Sequence, residues 1–478
     1  MQQPNIIFFL VDDMGWQDTS VPFHTEITEL NRRYRTPNME RLAAAGVKFT
    51  QAYACPLCSP SRVSLMTGLN AARHMVTNWT LRRDQETDTA RDDVRSADWN
   101  VNGLCPEPGV SRTVHAETLA ALLRQAGYRT IHCGKGHLGA HGTPGADLLN
   151  LGFDVNIAGH AAGGPGSYYG IHNFSAAWRG GDRIWDVPGL EKYHGQDVNL
   201  TDVLTREAIT EIERSVEDRR PFYLYMSHYA VHAPWEKDDR FYRPYEESGL
   251  PEFEATYASM LESQDDSLGE IMRSLERLQV DQNTVLVFMT DNGQPKQVPR
   301  NRPLRGHKLT PYEGGVRVPL IVKWPGIARP GSVYSRTPVI IEDIFPTFLE
   351  LAGAAHLVPK DGTIDGRSFV PQLDGSQCGH AGRALYWHYP NTYDQPPFSA
   401  VRYGDWKLIY FHADRKFELY NLRDDIGERH ECSQSKPTEV RRLSRLLTRH
   451  LEETGAKMPV TIATGEAVSL PDGVISGL

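Results

Sequence analysis

Short, nearly unbroken apolar runs alternate along this chain with longer stretches in which apolar residues recur every three or four positions. The runs at 6–11, 128–133, 222–227, 284–290 and 319–324 predict strands, and most lack the in–out alternation of a half-exposed sheet. Between them 37–45, 115–126, 202–217 and 256–278 predict helices; the last carries Tyr257, Met260, Leu261, Leu268, Ile271, Met272 and Leu275 at helical spacing. Alternating β and α segments imply an α/β fold: a large doubly wound, mostly parallel sheet sandwiched by helices, with ligands at the carboxyl ends of its strands.

The pattern changes near 375–382, where Gly, Ser and His cluster as in a linker. Beyond it 384–388, 399–403, 406–411 and 417–421 predict an antiparallel sheet, with Gly404-Asp405 as a tight turn, and 438–454 predicts an amphipathic helix. The expected division is therefore a large domain, 1–375, and a C-terminal antiparallel-sheet subdomain, 376–478. The polar stretch 81–108 reads equally well as an insertion beside a site or as a solvated loop.

At 478 residues the chain has ample material for a core. A net charge of −9 argues against a nucleic-acid partner, which demands a basic face. No apolar run approaches the ~20 residues of a membrane span. The chain opens Met-Gln-Gln-Pro-Asn straight into its first strand without a signal peptide, so the expectation is cytoplasmic, or periplasmic or secreted if a leader was removed. Six cysteines (55, 58, 105, 133, 378 and 432) are too scattered for a disulfide framework. Cys55 and Cys58 form a C-x-x-C, but no second close pair completes a zinc site.

The residues that carry chemistry fall at strand ends. Asp12-Asp13 ends the first strand and Asp291-Asn292-Gly293 the fourth. Each pair alone reads as readily as a solvated loop or an Asx turn, yet together they offer four oxygen ligands to a hard cation. A fifth ligand at position 58 would suit Ca²⁺, with Mg²⁺ as the alternative. Gly134-Lys135-Gly136-His137 follows the second strand, His232-Ala233-Pro234 the third, and Gly306-His307-Lys308 lies in another glycine-framed loop. Lysines there suit an anion, and histidines suit proton transfer near neutral pH or a structural hydrogen bond.

Cys58-Ser59-Pro60-Ser61-Arg62, closed by Met66-Thr67-Gly68, resembles the signature of the type I, formylglycine-dependent sulfatases of the alkaline phosphatase superfamily. Asp12 to Trp16, Gly127 to Leu138, His232 to Pro234, Thr290 to Gly293 and Gly306 to Gly315 follow in that family's order, and Val401 to Leu408 and Glu418 to Leu422 resemble its C-terminal subdomain. Cys133, Gly136 and Gln17 depart from the usual pattern without removing a reactive group.

The resemblance implies that a maturation enzyme oxidises Cys58 to formylglycine, whose hydrate attacks sulfur. It implies metal ligands at Asp12, Asp13, Asp291, Asn292 and position 58. Arg62 and Lys135 would hold the hydrate, and Lys135, Lys308 and the metal the sulfate. His232, aided by Lys308, would serve the departing alcohol, and His137 would take the proton that regenerates the aldehyde. His74, Arg305 and the loop 160–170, with Ser167, Tyr168 and Tyr169, are the candidates for substrate contact. The expected substrate is a sulfated small molecule or glycan. The rivals are a phosphonate monoester or phosphodiester hydrolase of the same superfamily, a non-catalytic binder of sulfated glycans, and a C-x-x-C redox protein.

Overall fold

The computed structural model describes residues 3–298, 302–360, 362–373 and 382–476. Nine strands form one sheet in the order Val339–Ile340, Val47–Tyr53, Arg317–Lys323, Thr284–Thr290, Asn5–Val11, Phe222–Ser227, Arg129–Gly134 and Val155–Ile157, with Ser332–Tyr334 pairing beside Val47–Tyr53. Arg317–Lys323 runs antiparallel to both neighbours; the other pairings are parallel. Its apolar sequence could not reveal that direction, because covered strands of either sense read alike.

The central strand shows why the apolar runs lack alternation. Ile7, Phe9 and Val11 face one core, shared with Leu204 and Ile212 of helix Leu200–Glu217 and Leu261 and Leu268 of helix Glu252–Arg277. Ile6, Phe8 and Leu10 face the other, shared with Val63 and Leu65 of helix Cys58–Thr67 and Phe345 and Phe348 of helix Ile344–Leu351. Successive side chains point to opposite faces, and helices cover both.

Helix Pro37–Ala45 forms as expected. The helix expected at 115–126 is shorter, Leu119–Gln125, because the Thr118 hydroxyl accepts the Ala121 N–H and caps it there. Strand Val47–Tyr53 was not expected; its Lys48, Thr50 and Gln51 break the apolar signal.

The antiparallel sheet comprises Ala384–Tyr389, Phe398–Tyr403, Trp406–Phe411 and Lys416–Asn421. Tyr403 pairs with Trp406, so Gly404-Asp405 is the two-residue turn, with Gly404 at φ 62°. One face, with Trp387, Tyr389, Phe398 and Ile409, packs on Tyr53, Leu57 and Val316 of the large domain. The other, with Val401, Leu408, Tyr410 and Leu419, receives helix Pro437–Thr454. The expected linker and domain boundary at 375–382 lie almost wholly outside the described residues.

The stretch 81–108 is exposed over much of 83–95 but anchored to its surroundings, and 101–105 are buried. Val94–Arg95 pairs with Val460–Thr461, and the Asp88 carboxylate accepts from Trp99 Nε1, Asn391 Nδ2 and the Thr392 N–H. No helix among the described residues is long and apolar enough to cross a membrane.

Candidate active site

Strand register assembles the site. Val11 pairs with Thr290, so Asp12 and Asp291 leave the sheet side by side. Leu10 and Gly134 both pair with Ser227, which brings Lys135 to the same edge. Asp13 and His137 then turn through left-handed backbone, at φ 60° and 52°. Such conformations are costly for residues with a Cβ and collect where a site fixes the chain.

Helix Cys58–Thr67 enters beneath this edge with every residue buried, and Cys58 is its first residue. Its N-terminal dipole favours an anion there. Arg62, one turn on, is fully buried. It donates through Nε and Nη2 to Asp291 Oδ2 at 3.0 and 2.8 Å, and through Nη1 to Ser227 Oγ at 2.5 Å and the Lys135 carbonyl at 3.2 Å. It therefore locks this helix to three strand ends. Complete burial is why this helix was invisible in sequence: with no exposed face there is no amphipathic period.

Ligand atoms of Asp12, Cys58 and Asp291 lie within 4.8 Å of one another. Asp12 Oδ1 and Asn292 Oδ1 are buried without a hydrogen-bond partner. Burial and the neighbouring Asp291 carboxylate push the Asp12 carboxyl well up. Crowded oxygen atoms with lone pairs to spare fit a divalent cation, which would remove both penalties. Asp13 is compensated differently. Burial would raise its carboxyl, but the Lys308 ammonium at 2.6 Å and the other positive groups around it, Lys135 among them, together hold the carboxyl below the usual range. Asn292 Nδ2 also donates to Asp13 Oδ1, at 2.7 Å. Lys135 Nζ donates to Asp12 Oδ2 at 2.5 Å.

Both histidines are held neutral. Burial, reinforced by the Lys135 and Arg62 charges, depresses His137 well below its ordinary value, and burial with Lys308 pushes His232 down to about 3. The Thr80 carbonyl, which can only accept, lies 2.9 Å from His137 Nε2, so that nitrogen carries the proton and buried Nδ1 keeps a free lone pair. By the same reasoning the Ala233 carbonyl, 2.8 Å from His232 Nδ1, fixes that proton and leaves Nε2 3.9 Å from Asp13 Oδ2.

Asp13, Cys58, His137, His232 and Lys308 border a pocket of about 480 Å³. Its walls include Trp79, Trp185, Trp235 and Tyr393, with Thr89 from the 81–108 stretch and the Lys296–Asp394 ion pair. Apart from Trp79 these went unread in the sequence, because isolated aromatic and charged residues on separate loops carry no spacing signal. Burial raises the Cys58 thiol, and Cys55 and Cys58 are both free, which suits neither thiolate nor disulfide chemistry.

Three substrate-contact expectations are corrected. His74 is buried away from the pocket, its Nε2 3.0 Å from Ser64 Oγ and its Nδ1 accepting the Val76 N–H. Arg305 instead reaches the C-terminal sheet, donating to Tyr420 Oη and the Glu428 carbonyl and stacking 3.8 Å from the Tyr312 ring centre. In the glycine loop Ser167 and Tyr168 turn to Glu236 and to the Tyr229 and His232 carbonyls, and Tyr169 Oη to the Lys237 carbonyl; Gly163 is what reaches the pocket.

Lysines set against a nest of acids at the carboxyl edge of a mostly parallel sheet suit a hydrolase of anionic esters. The comparisons narrow that class. The sulfatase family pattern matches residues 4–354, and that of the N-sulphoglucosamine sulphohydrolase C-terminal region matches 307–457. The chain belongs to the sulfatase family, within the alkaline phosphatase superfamily, and is an enzyme of that kind. It is 31% identical to a sulfatase of Formosa agariphila, over 89% of this chain and 84% of that one. Identity to the N-acetylgalactosamine-6-sulfatase of Canis lupus familiaris is 30%, over 97% and 80%. Among solved structures, Ps i-CgsB in complex with k-i-k-neocarrahexaose superposes with a TM-score of 0.77 at 26% identity, over 95% of this chain and 94% of that one.

Proposed function

We propose that this sulfatase hydrolyses a sulfate monoester on a sulfated carbohydrate, with position 58 as the nucleophile after oxidation to formylglycine. The observation that carries the reading is the meeting of Cys58 with Asp12 and Asp291 within 4.8 Å at the edge of an open pocket. The names of the relatives and the neocarrahexaose bound to Ps i-CgsB support a sugar substrate, and the aromatic pocket walls suit pyranose rings.

Asp12, Asp13, Asp291, Asn292 and position 58 would hold Ca²⁺ or Mg²⁺, which supplies positive charge against the ester oxygens. The chain's own residues do the rest. Lys135 and Lys308, each oriented by a carboxylate, present ammonium groups to the sulfate. Arg62 fixes the helix on which position 58 rides. His137 Nδ1, unprotonated and without a hydrogen-bond partner, would accept the proton released from position 58, which lines the same pocket. His232, on the wall of the same pocket, would position the leaving alcohol, and the Lys308 ammonium would supply its proton, because His232 Nε2 rests unprotonated.

The test is the mass of the proteolytic peptide spanning Cys58 from protein made in its own host, paired with sulfate release from an aryl sulfate. An aldehyde in place of the CH₂SH group, with activity abolished in Cys58→Ala, supports the reading. Faster turnover of a phosphonate monoester or phosphodiester would transfer the site to that chemistry, and an intact thiol with no turnover would leave only glycan binding.

A further inference from the structure

Helix Pro437–Thr454 buries Val440, Leu443, Leu447 and Leu451 against the small sheet. Its outer side carries Arg441, Arg445 and Arg449, all exposed. At four-residue spacing they form one stripe, rising about 6 Å per step and ~12 Å in all. Among the described residues none of the three makes an ion pair or a side-chain hydrogen bond. Arg442 next to them is engaged, by Glu439 at 2.6 Å and over the Tyr403 ring at 4.9 Å. The remaining acids of the helix, Glu452 and Glu453, sit in its last turn. Like charges at i,i+4 weaken a helix, so repulsion along the stripe works against the helix that carries it. In a chain of net charge −9 it is also set against the overall field.

The stripe borders a cleft of about 600 Å³ with Tyr403, Thr438 and Arg442. The opposite face of the same small sheet packs on Leu57 and Cys58. A sheet and a helix layer, roughly 20 Å, therefore separate the stripe from the pocket. It cannot touch the sugar being desulfated, but a polymer can span that distance.

We infer that Arg441, Arg445 and Arg449 anchor a sulfated polysaccharide chain at a site separate from the active-site pocket. This rests on the proposed sugar-sulfate substrate. Guanidinium forks match the oxygens of sulfate two at a time, and a row of three matches an anion repeated along a chain. Anchoring raises the local concentration of further sulfate esters near the pocket without adding a contact to any one of them.

The experiment measures binding of chondroitin sulfate polymer at ~0.1 M salt to the wild type and to the triple variant R441Q/R445Q/R449Q, alongside turnover of the polymer and of an aryl sulfate. The variant is expected to bind the polymer about 10- to 100-fold more weakly, three exposed charge contacts being lost. Its KM for the polymer should rise by a like factor with kcat retained, and its aryl sulfatase activity and melting temperature should stay at wild-type values. Equal polymer affinity in the two proteins would overturn the anchor. So would duplex DNA binding the wild type as tightly as the polysaccharide does, because the stripe would then be a general polyanion site. Loss of polymer binding in the variant, with a wild type that releases no sulfate from either substrate, would overturn the proposed function and leave the anchor standing.

Discussion

Lys407→Met tests how the two sheets are held together. Lys407 is fully buried, with Nζ 2.9 Å from Glu313 Oε1 and 3.0 Å from Glu428 Oε1. Glu313 belongs to the loop system that carries Lys308, and it also receives Tyr53 Oη at 2.7 Å and Arg317 Nη1 at 3.2 Å. Methionine fills the volume but leaves a buried carboxylate uncompensated, a loss of about 3–5 kcal/mol. The cost depends on pH. Burial and the Glu313 charge push the Glu428 carboxyl up to about 7, even with Lys407 opposing them. A carboxyl raised on folding contributes stability below its unfolded value and loses it as pH rises through the folded one. Without Lys407 that value climbs further, so the Glu428 part of the penalty is absent near pH 5.5 and grows toward pH 8.5, while Glu313, which Lys407 helps hold below its usual range, adds a part common to both. Calorimetry reads it and settles the domain division as well. At ~2 cal/mol/K per residue a transition of the whole chain carries about 1 kcal/mol/K, so its midpoint falls by only ~3–5 °C. A C-terminal unit of about 100 residues melting alone would fall by ~15–25 °C as a separate peak. An unchanged midpoint at pH 8.5, or the same change at both pH values, would refute the argument.

Lys308→Met removes an ammonium oriented by Asp13 at 2.6 Å, and kcat for an aryl sulfate should fall by ~10²–10³-fold with the fold intact by circular dichroism. Gly163→Ala would set a Cβ 2.5 Å from His137 Cε1 and 2.8 Å from Nδ1, displacing the ring; steady-state kinetics should show a loss of ~10²-fold with little change in melting temperature. Asp265 caps helix Pro37–Ala45, accepting the Asn38 and Met39 N–H groups, and burial pushes its carboxyl up to about 6. Wild-type stability should therefore fall between pH 4 and 6 by about 2–3 kcal/mol from this group and then level off, and urea midpoints of Asp265→Asn should lack that part of the slope.

What the chain disclosed and what it hid divide along a physical line. The central strands were legible because two covering layers demand unbroken apolar runs, and the acids and lysine were legible because they stand immediately after those runs. Register then brought Asp12, Asp291 and Lys135 together without further information. Two kinds of feature were hidden. Helix Cys58–Thr67 is buried on every side, so no polar face marks its period. The pocket's walls are assembled from single residues on loops distant in sequence, Trp185, Trp235, Tyr393 and the Lys296–Asp394 pair, which only tertiary packing brings near one another. His74 and Arg305 failed as substrate contacts for a related reason. Nearness in sequence to a reactive loop says nothing of direction: His74 turns inward to Ser64, and Arg305, though exposed, turns to Tyr420 of the C-terminal sheet. Glycine spans the two cases. Gly163 and Gly164 looked like turn residues, yet an added Cβ would meet His137 from the first and stand 2.8 Å from His232 Nδ1 from the second. In that loop the absence of a side chain gives both imidazoles the room they occupy at the pocket wall, so the shape of the pocket depends on what these two positions leave empty as much as on the groups that fill it.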